Sequence, residues 1–67
     1  NHSLMAMVTT FKVGDSVWFA SYTKYFRCII REVDVTSHKF KPDNRVFYRV
    51  EGGVESICTD EYLTKIN

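Results

Sequence analysis

Apolar and polar residues alternate with period two through most of this chain, and the alternation marks out five short strands. In Ser16 to Ala20, Val17 and Phe19 face one way and Trp18 the other. From Tyr25 onward, Phe26, Cys28 and Ile30 form an inner row, and Tyr25, Arg27, Ile29 and Arg31 an outer one. Past Glu32 the alternation slips by one, because Val33 and Val35 are apolar where Glu32 and Asp34 would continue the inner row. One extra residue near Arg31-Glu32, a β-bulge, explains the slip and bends the strand. Arg45 to Glu51 is the third strand, with Val46, Tyr48 and Val50 alternating against Phe47, Arg49 and Glu51. Val54 to Cys58 is the fourth, with Ile57 its buried residue. Leu63 to Ile66 is the fifth, with Leu63 and Ile66 pointing inward.

Between the strands lie turns with a physical cause. Gly14 gives backbone freedom to the Phe11-Lys12-Val13-Gly14-Asp15 entry, and Asp15 can accept from nearby amides. Ser21 to Lys24 is a short polar and aromatic loop. Thr36 to Asn44 is the longest stretch without a strand, and it holds His38 and a Pro42-Asp43-Asn44 turn. Gly52-Gly53 predicts a two-residue hairpin turn at positive φ. Thr59 or Asp60 is placed to cap free amides, with room for a single 3₁₀ turn. The expected architecture is all-β: one five-stranded barrel over residues 11–67, with the 3₁₀ turn before its last strand. A long, bent central strand from Tyr25 to Val35 is what lets so short a chain curl. Residues 1–10 are set aside as a flexible N-terminal arm or expression remnant.

Sixty-seven residues make one domain. At this size only about 60% of the unfolded chain's surface is buried, so disulfides, metals or partner subunits usually add stability. Cys28 and Cys58 are the only cysteines; both sit among apolar strand neighbours, without a CxxC or a Cys/His cluster. They predict two reduced, buried thiols in a cytoplasmic protein, with no metal site and no cofactor. Self-association, as a dimer or tetramer, is then the remaining source of stability. Net charge is only +1. Seven basic residues against three acidic lie from Lys24 to Arg49, whereas four acidic and one basic lie from Glu51 onward. So dipolar a chain suits an acidic partner or its own second copy. No apolar run reaches the length of a membrane span.

Val13-Gly14-Asp15-x-Val17 at the start and Leu63 near the end resemble the SH3-like barrels, notably Tudor domains and plasmid-borne type II dihydrofolate reductases. Tyr25-Phe26-Arg27-Cys28 looks like the aromatic-aromatic-Arg-Ala stretch of Tudor domains. That likeness implies an aromatic cage for a methylated cation, with Tyr22, Phe26 and Trp18 as its walls. The hairpin that carries further cage residues in that family is Glu51-Gly52-Gly53 here, without an aromatic. Val54 to Asn67 is similar to the reductases' ending, sharing Ile57, Leu63, Ile66 and Asn67. Their active-site Val-Gln-Ile-Tyr strand corresponds to Glu55-Ser56-Ile57-Cys58, and their strand-one lysine to Phe19. The resemblance therefore implies the reductases' architecture, with a small-molecule site between subunits as the third functional reading, and without their catalytic groups.

Catalysis is not expected. Cys28 lies on the core face, Cys58 has no neighbouring histidine to activate it, and His38 stands among Ser37, Lys39 and Lys41 without an orienting carboxylate. Asp60 and Glu61 read as helix-turn acids. The leading expectation is a binding module whose ten aromatic residues exceed what so small an interior can enclose. Trp18, Tyr22, Tyr25, Ile29 and Phe47 are its candidate contact residues, on faces turned to a partner protein or a second copy. The alternative is a nucleic-acid surface in which Arg27, Arg31 and Arg49 meet phosphates beside Tyr25 and Phe47.

Overall fold

The computed structural model describes residues 9–37 and 44–67. The expected strands are present as β1 (Ser16–Ser21), β2 (Lys24–Ser37), β3 (Asn44–Gly52), β4 (Ser56–Cys58) and β5 (Leu63–Lys65). All neighbouring strands pair antiparallel in the order β4-β3-β2-β1-β5. A 3₁₀ turn, Asp60–Tyr62, joins β4 to β5.

β2 is the strand that both halves of the sheet share. Its first part pairs with β1, from Lys24 opposite Ser21 to Ile29 opposite Ser16. From Cys28 to Ser37 it pairs with β3, overlapping the first ladder at Cys28 and Ile29, and the register shifts between Ile30 and Glu32. Arg31 is therefore the extra residue that the sequence pattern demanded. Ile30, opposite Val50, is fully buried; beyond the bulge Val33 faces Tyr48 and Val35 faces Val46. Each fully buried aliphatic side chain in this row contributes about 1.5–3 kcal/mol.

Curvature follows from chain length. The two edges of a flat five-stranded sheet would lie about 19 Å apart. The link from Cys58 to Leu63, part extended and part 3₁₀, reaches only about 13 Å. The sheet must curl to bring β4 and β5 that close, and the bulge in β2 provides the bend. The curl stops short of closure: no ladder joins β4 to β5 among the described residues, so the expected barrel is present as a curled sheet with two free edges.

Phe11 and Tyr48 hold one end of the core. Their rings meet edge to face, with centroids 5.4 Å apart. The Tyr48 hydroxyl, on a side chain that is 1% exposed, accepts from the amides of Thr10 at 3.1 Å and Phe11 at 3.3 Å. Next in sequence, the Asp15 amide donates to the Lys12 carbonyl at 3.0 Å, and the Asp15 carboxylate accepts from the Lys12 amide at 3.0 Å. Gly14 closes this turn at φ 96°, the conformation a type II turn requires of its third residue.

Several boundaries and one buried position differ from the sequence reading. Ile57 is 67% exposed, not buried. The three-residue β4 places Ser56 and Cys58 opposite Val50 and Tyr48, so Ile57, opposite Arg49, points outward and Cys58 takes the core position. Thr36, Ser37 and Asn44 extend the β2–β3 ladder, which shortens the expected Thr36–Asn44 loop to 38–43. That segment, with His38 and the Pro42-Asp43 part of the expected turn, lies outside the described residues, as does the arm before residue 9. Gly52-Gly53 is not a two-residue hairpin either. β3 runs on beside β2 until Gly52 faces Cys28, and five residues separate Val50 from Ser56. Gly52 does take a positive φ, 147°. Thr59 precedes the 3₁₀ turn but makes no side-chain cap bond, and the Tyr62 amide donates to the Thr59 carbonyl instead.

The glycine pair marks a close approach. A Cβ at Gly52 would stand 2.7 Å from the Arg27 carbonyl oxygen, whereas one at Gly14 would meet nothing within 4 Å. Gly14→Ala carries only dihedral strain and is expected to cost about 1 kcal/mol. Gly52→Ala adds a backbone clash and should cost about 2–4 kcal/mol. Urea unfolding of the two variants checks this order.

Candidate binding groove

The β1–β2 hairpin is the tightest in the molecule. Ser21 pairs with Lys24, so Tyr22 and Thr23 alone make the turn. Tyr22 takes φ 42°, a left-handed conformation that costs a non-glycine residue about 1–2 kcal/mol. Its side chain is fully exposed. A large ring held in a strained backbone at a hairpin tip is a feature that stability alone does not favour.

Beneath Tyr22 lies a groove of about 770 Å³. Phe19 and Cys58 line it from the core, Phe47 from β3, Ser56 and Ile57 from β4, and Tyr62 from the 3₁₀ turn. β3 is the only described strand that pairs with β4. The residues facing β4 across the groove come from the end of β1 and from the 3₁₀ turn. The groove thus occupies the seam where the sheet fails to close. No charged side chain lines it. Three other concavities are ionic: Arg45, Asp60 and Glu61 line one, Arg27, Arg31 and Glu51 a second, Arg49 and Glu55 a third.

The expected contact residues divide between two places. Tyr22 and Phe47 come together in the groove. Phe47 is half-buried there, where the sequence pattern put it on a face left to water. Trp18, Tyr25, Arg27 and Ile29 lie together on the outer face of β1 and β2, where Trp18 is directly opposite Arg27 and Tyr25 opposite Ala20. Tyr25 is 72% exposed, but Trp18 and Ile29 only 40% and 37%. The walls proposed for a cation cage do not converge. Phe26 pairs with Phe19 and packs on the core, on the face opposite Trp18. Phe19, at the position of the reductases' lysine, is itself buried.

Arg31 and Arg49 are committed within the chain. Arg31 Nε donates to Glu51 at 3.1 Å, Arg49 Nε to Glu32 at 2.9 Å, and Arg49 also pairs with Glu51. The Arg49 guanidinium is raised above its usual range, first by its bond to Glu32 and then by Glu51; the Glu51 carboxyl is lowered, chiefly by Arg49. Of the three arginines expected to meet phosphate, Arg27 is the one without an ion pair among the described residues.

Sequence reasoning missed Ile57 and Tyr62 as groove residues. Ile57 was assigned inward because it is the largest apolar residue of its strand. The adjacent cysteine was the available signal, since period two lets only one of Ile57 and Cys58 face the core. Tyr62 sits in a turn, where no periodicity points to a face.

Neither thiol is poised for chemistry. Cys28 and Cys58 are free and buried, and Cys28 Sγ lies 3.6 Å from the Val54 carbonyl oxygen. Burial, with smaller effects from Cys28 and Glu61, pushes the Cys58 thiol up to about 11. The Glu61 carboxyl is held below its ordinary range, chiefly by the Thr59 hydroxyl. Asp60 accepts from the Thr10 hydroxyl at 3.4 Å. No group of three or more potential metal ligands occurs among the described residues, and no helix there is long and apolar enough to cross a membrane.

No family profile matches the chain, and no curated protein or solved structure matches it either.

Because the Cys58 thiol ionises near 11 when folded and near 8.5 when unfolded, its contribution to stability is complete below about pH 8.5 and is lost as pH rises toward 11. Thermal midpoints followed from pH 8 to 11 should fall less steeply in Cys58→Ala than in wild type. Iodoacetamide at pH 8 should label native Cys58 far more slowly than the same residue in denaturant.

Proposed function

We propose that this chain is a non-catalytic binding module built on an SH3-like barrel, with the uncharged aromatic groove of Tyr22, Phe47, Ile57 and Tyr62 as its working surface. The strand order, the bend in β2 and the 3₁₀ turn before the last strand support the SH3-like reading. What carries the functional reading is the groove's composition: large rings and one exposed isoleucine around an apolar floor, with no ion. Such a lining suits apolar ligand groups, because burying a ligand charge there would lack a compensating partner. A reaction would need a positioned acid, base or nucleophile, and the one thiol in the groove is held protonated.

Titration of the isotope-labelled protein with indole or p-cresol tests this reading. Amide shifts should concentrate at Tyr22, Phe47, Ile57 and Tyr62 and should vanish in Ile57→Asp, a substitution at an exposed site. Shifts scattered over the surface, or none, would overturn it.

Self-association is the second part of the proposal, through the outer face of the sheet from β1 across β2 to β3. Arg31, Glu51, Arg49 and Glu32 form a ladder of alternating sign beside Ile29. Rotated by a two-fold axis, this ladder meets its own reverse, so each positive group faces a negative one. The same neutral ladder argues against the nucleic-acid alternative, since affinity for phosphate grows with the number of uncompensated cations. Sedimentation of the wild type at high micromolar concentration should give a dimer or tetramer, and Ile29→Arg should give a monomer. A wild type that sediments as a monomer would remove this part of the proposal.

A further inference from the structure

We infer that the groove takes an extended, uncharged peptide segment of a partner protein, which adds to the free edge of β4 as a sixth strand. This inference rests on the binding-module reading above and names the ligand of that same groove.

Three observations converge on it. β4 is an edge strand, and alternate residues of an edge strand turn their amide and carbonyl groups away from the sheet. Natural edge strands are protected by being very short, or by inward charges, proline or a covering segment. β4 is short, but Ser56, Ile57 and Cys58 bring neither charge nor proline, no described residue pairs with its outer edge, and Ile57 exposes two-thirds of its surface. Second, the groove lies along this edge, between β4 and a far wall made by the end of β1 (Ala20 and Ser21), Tyr22 and Tyr62, with which β4 forms no ladder among the described residues. An incoming strand would therefore find backbone partners on one side and ring faces on the other, the arrangement by which strand addition gains both affinity and selectivity. Third, its lining carries no ion, unlike the concavities lined by Arg45, Asp60 and Glu61, by Arg27, Arg31 and Glu51, and by Arg49 and Glu55. Charge complementarity thus selects a segment without Asp, Glu, Lys or Arg at the groove.

A free small aromatic molecule would satisfy the rings but leave the β4 backbone unused. A second copy of this chain pairing β4 to β4 would offer only the three residues Ser56–Cys58 to the edge, whereas a free peptide can run the length of the groove.

The test uses the labelled full chain and the blocked peptide acetyl-Thr-Val-Phe-Val-Thr-amide. Two twins of this peptide carry backbone N-methyl groups on alternate residues, one twin in each phase. The parent should shift Tyr22, Phe47, Ile57 and Tyr62 and slow amide exchange within β4. Methylation in one phase should weaken binding at least tenfold, and in the other phase leave it nearly unchanged, because only one phase faces the strand edge. Acetyl-Thr-Glu-Phe-Lys-Thr-amide should bind at least fivefold more weakly than the parent, and Ile57→Asp should lose the parent peptide.

Equal binding of both twins would overturn strand addition and leave the groove reading intact. Indole shifts at the groove without any peptide binding would do the same. Concentration-dependent slowing of β4 exchange in the protein alone would make a second copy the occupant and overturn the peptide inference. Absence of both indole and peptide binding would overturn the groove reading itself.

Discussion

Arg31 is the residue on which the geometry turns, through its backbone rather than its charge. As the extra residue of the bulge, it lets one strand serve two sheet halves whose inner rows have opposite parity. Without it, the row Phe26, Cys28, Ile30 would continue through Glu32 and Asp34, and two carboxylates would enter the core without partners. With it, Val33 and Val35 follow Ile30 inward, and Glu32 emerges beside Arg49. The same residue bends β2 enough for a four-residue link to connect the two sheet edges. Burial, ion pairing and curvature are consequences of one insertion.

The bend has further effects along β3. Because β3 follows β2 to its end, the last part of β3 runs against the Arg27 backbone, and only glycine fits at position 52. β4 is left three residues long, and its short register turns Ile57 outward. The curl brings β4 toward the hairpin tip of β1 and β2 but does not pair them, so the closure defect becomes a groove. Its lining includes the rings of Tyr22, Phe47 and Tyr62, which lie outside the buried core, and Tyr22 takes a left-handed backbone conformation at the hairpin tip.

How much was legible depended on whether an argument needed only neighbours in sequence. The inner rows of β1, β2 and β3 and the bulge were readable, because side-chain direction alternates strictly along a strand. Cys28 and Cys58 were correctly read as buried thiols. Ile57 was misread because residue size was allowed to outrank register, and Gly52-Gly53 because a hairpin signal was taken where the glycines answer to a neighbouring strand. The basic face was legible as a list of arginines but not as a surface, since Glu51 and Glu32 reach Arg31 and Arg49 only across paired strands.

The sequence by itself determined an all-β chain, the parity of its rows, the place where that parity breaks and the excess of aromatic residues over available core. These follow from local stereochemistry and from counting. Only the tertiary structure decided that the sheet stays open, that two arginines are neutralised within the chain, and that Tyr22, Phe47, Ile57 and Tyr62 share one uncharged seam. Those depend on distances between residues far apart in sequence, which the curl of the sheet sets and no local pattern encodes.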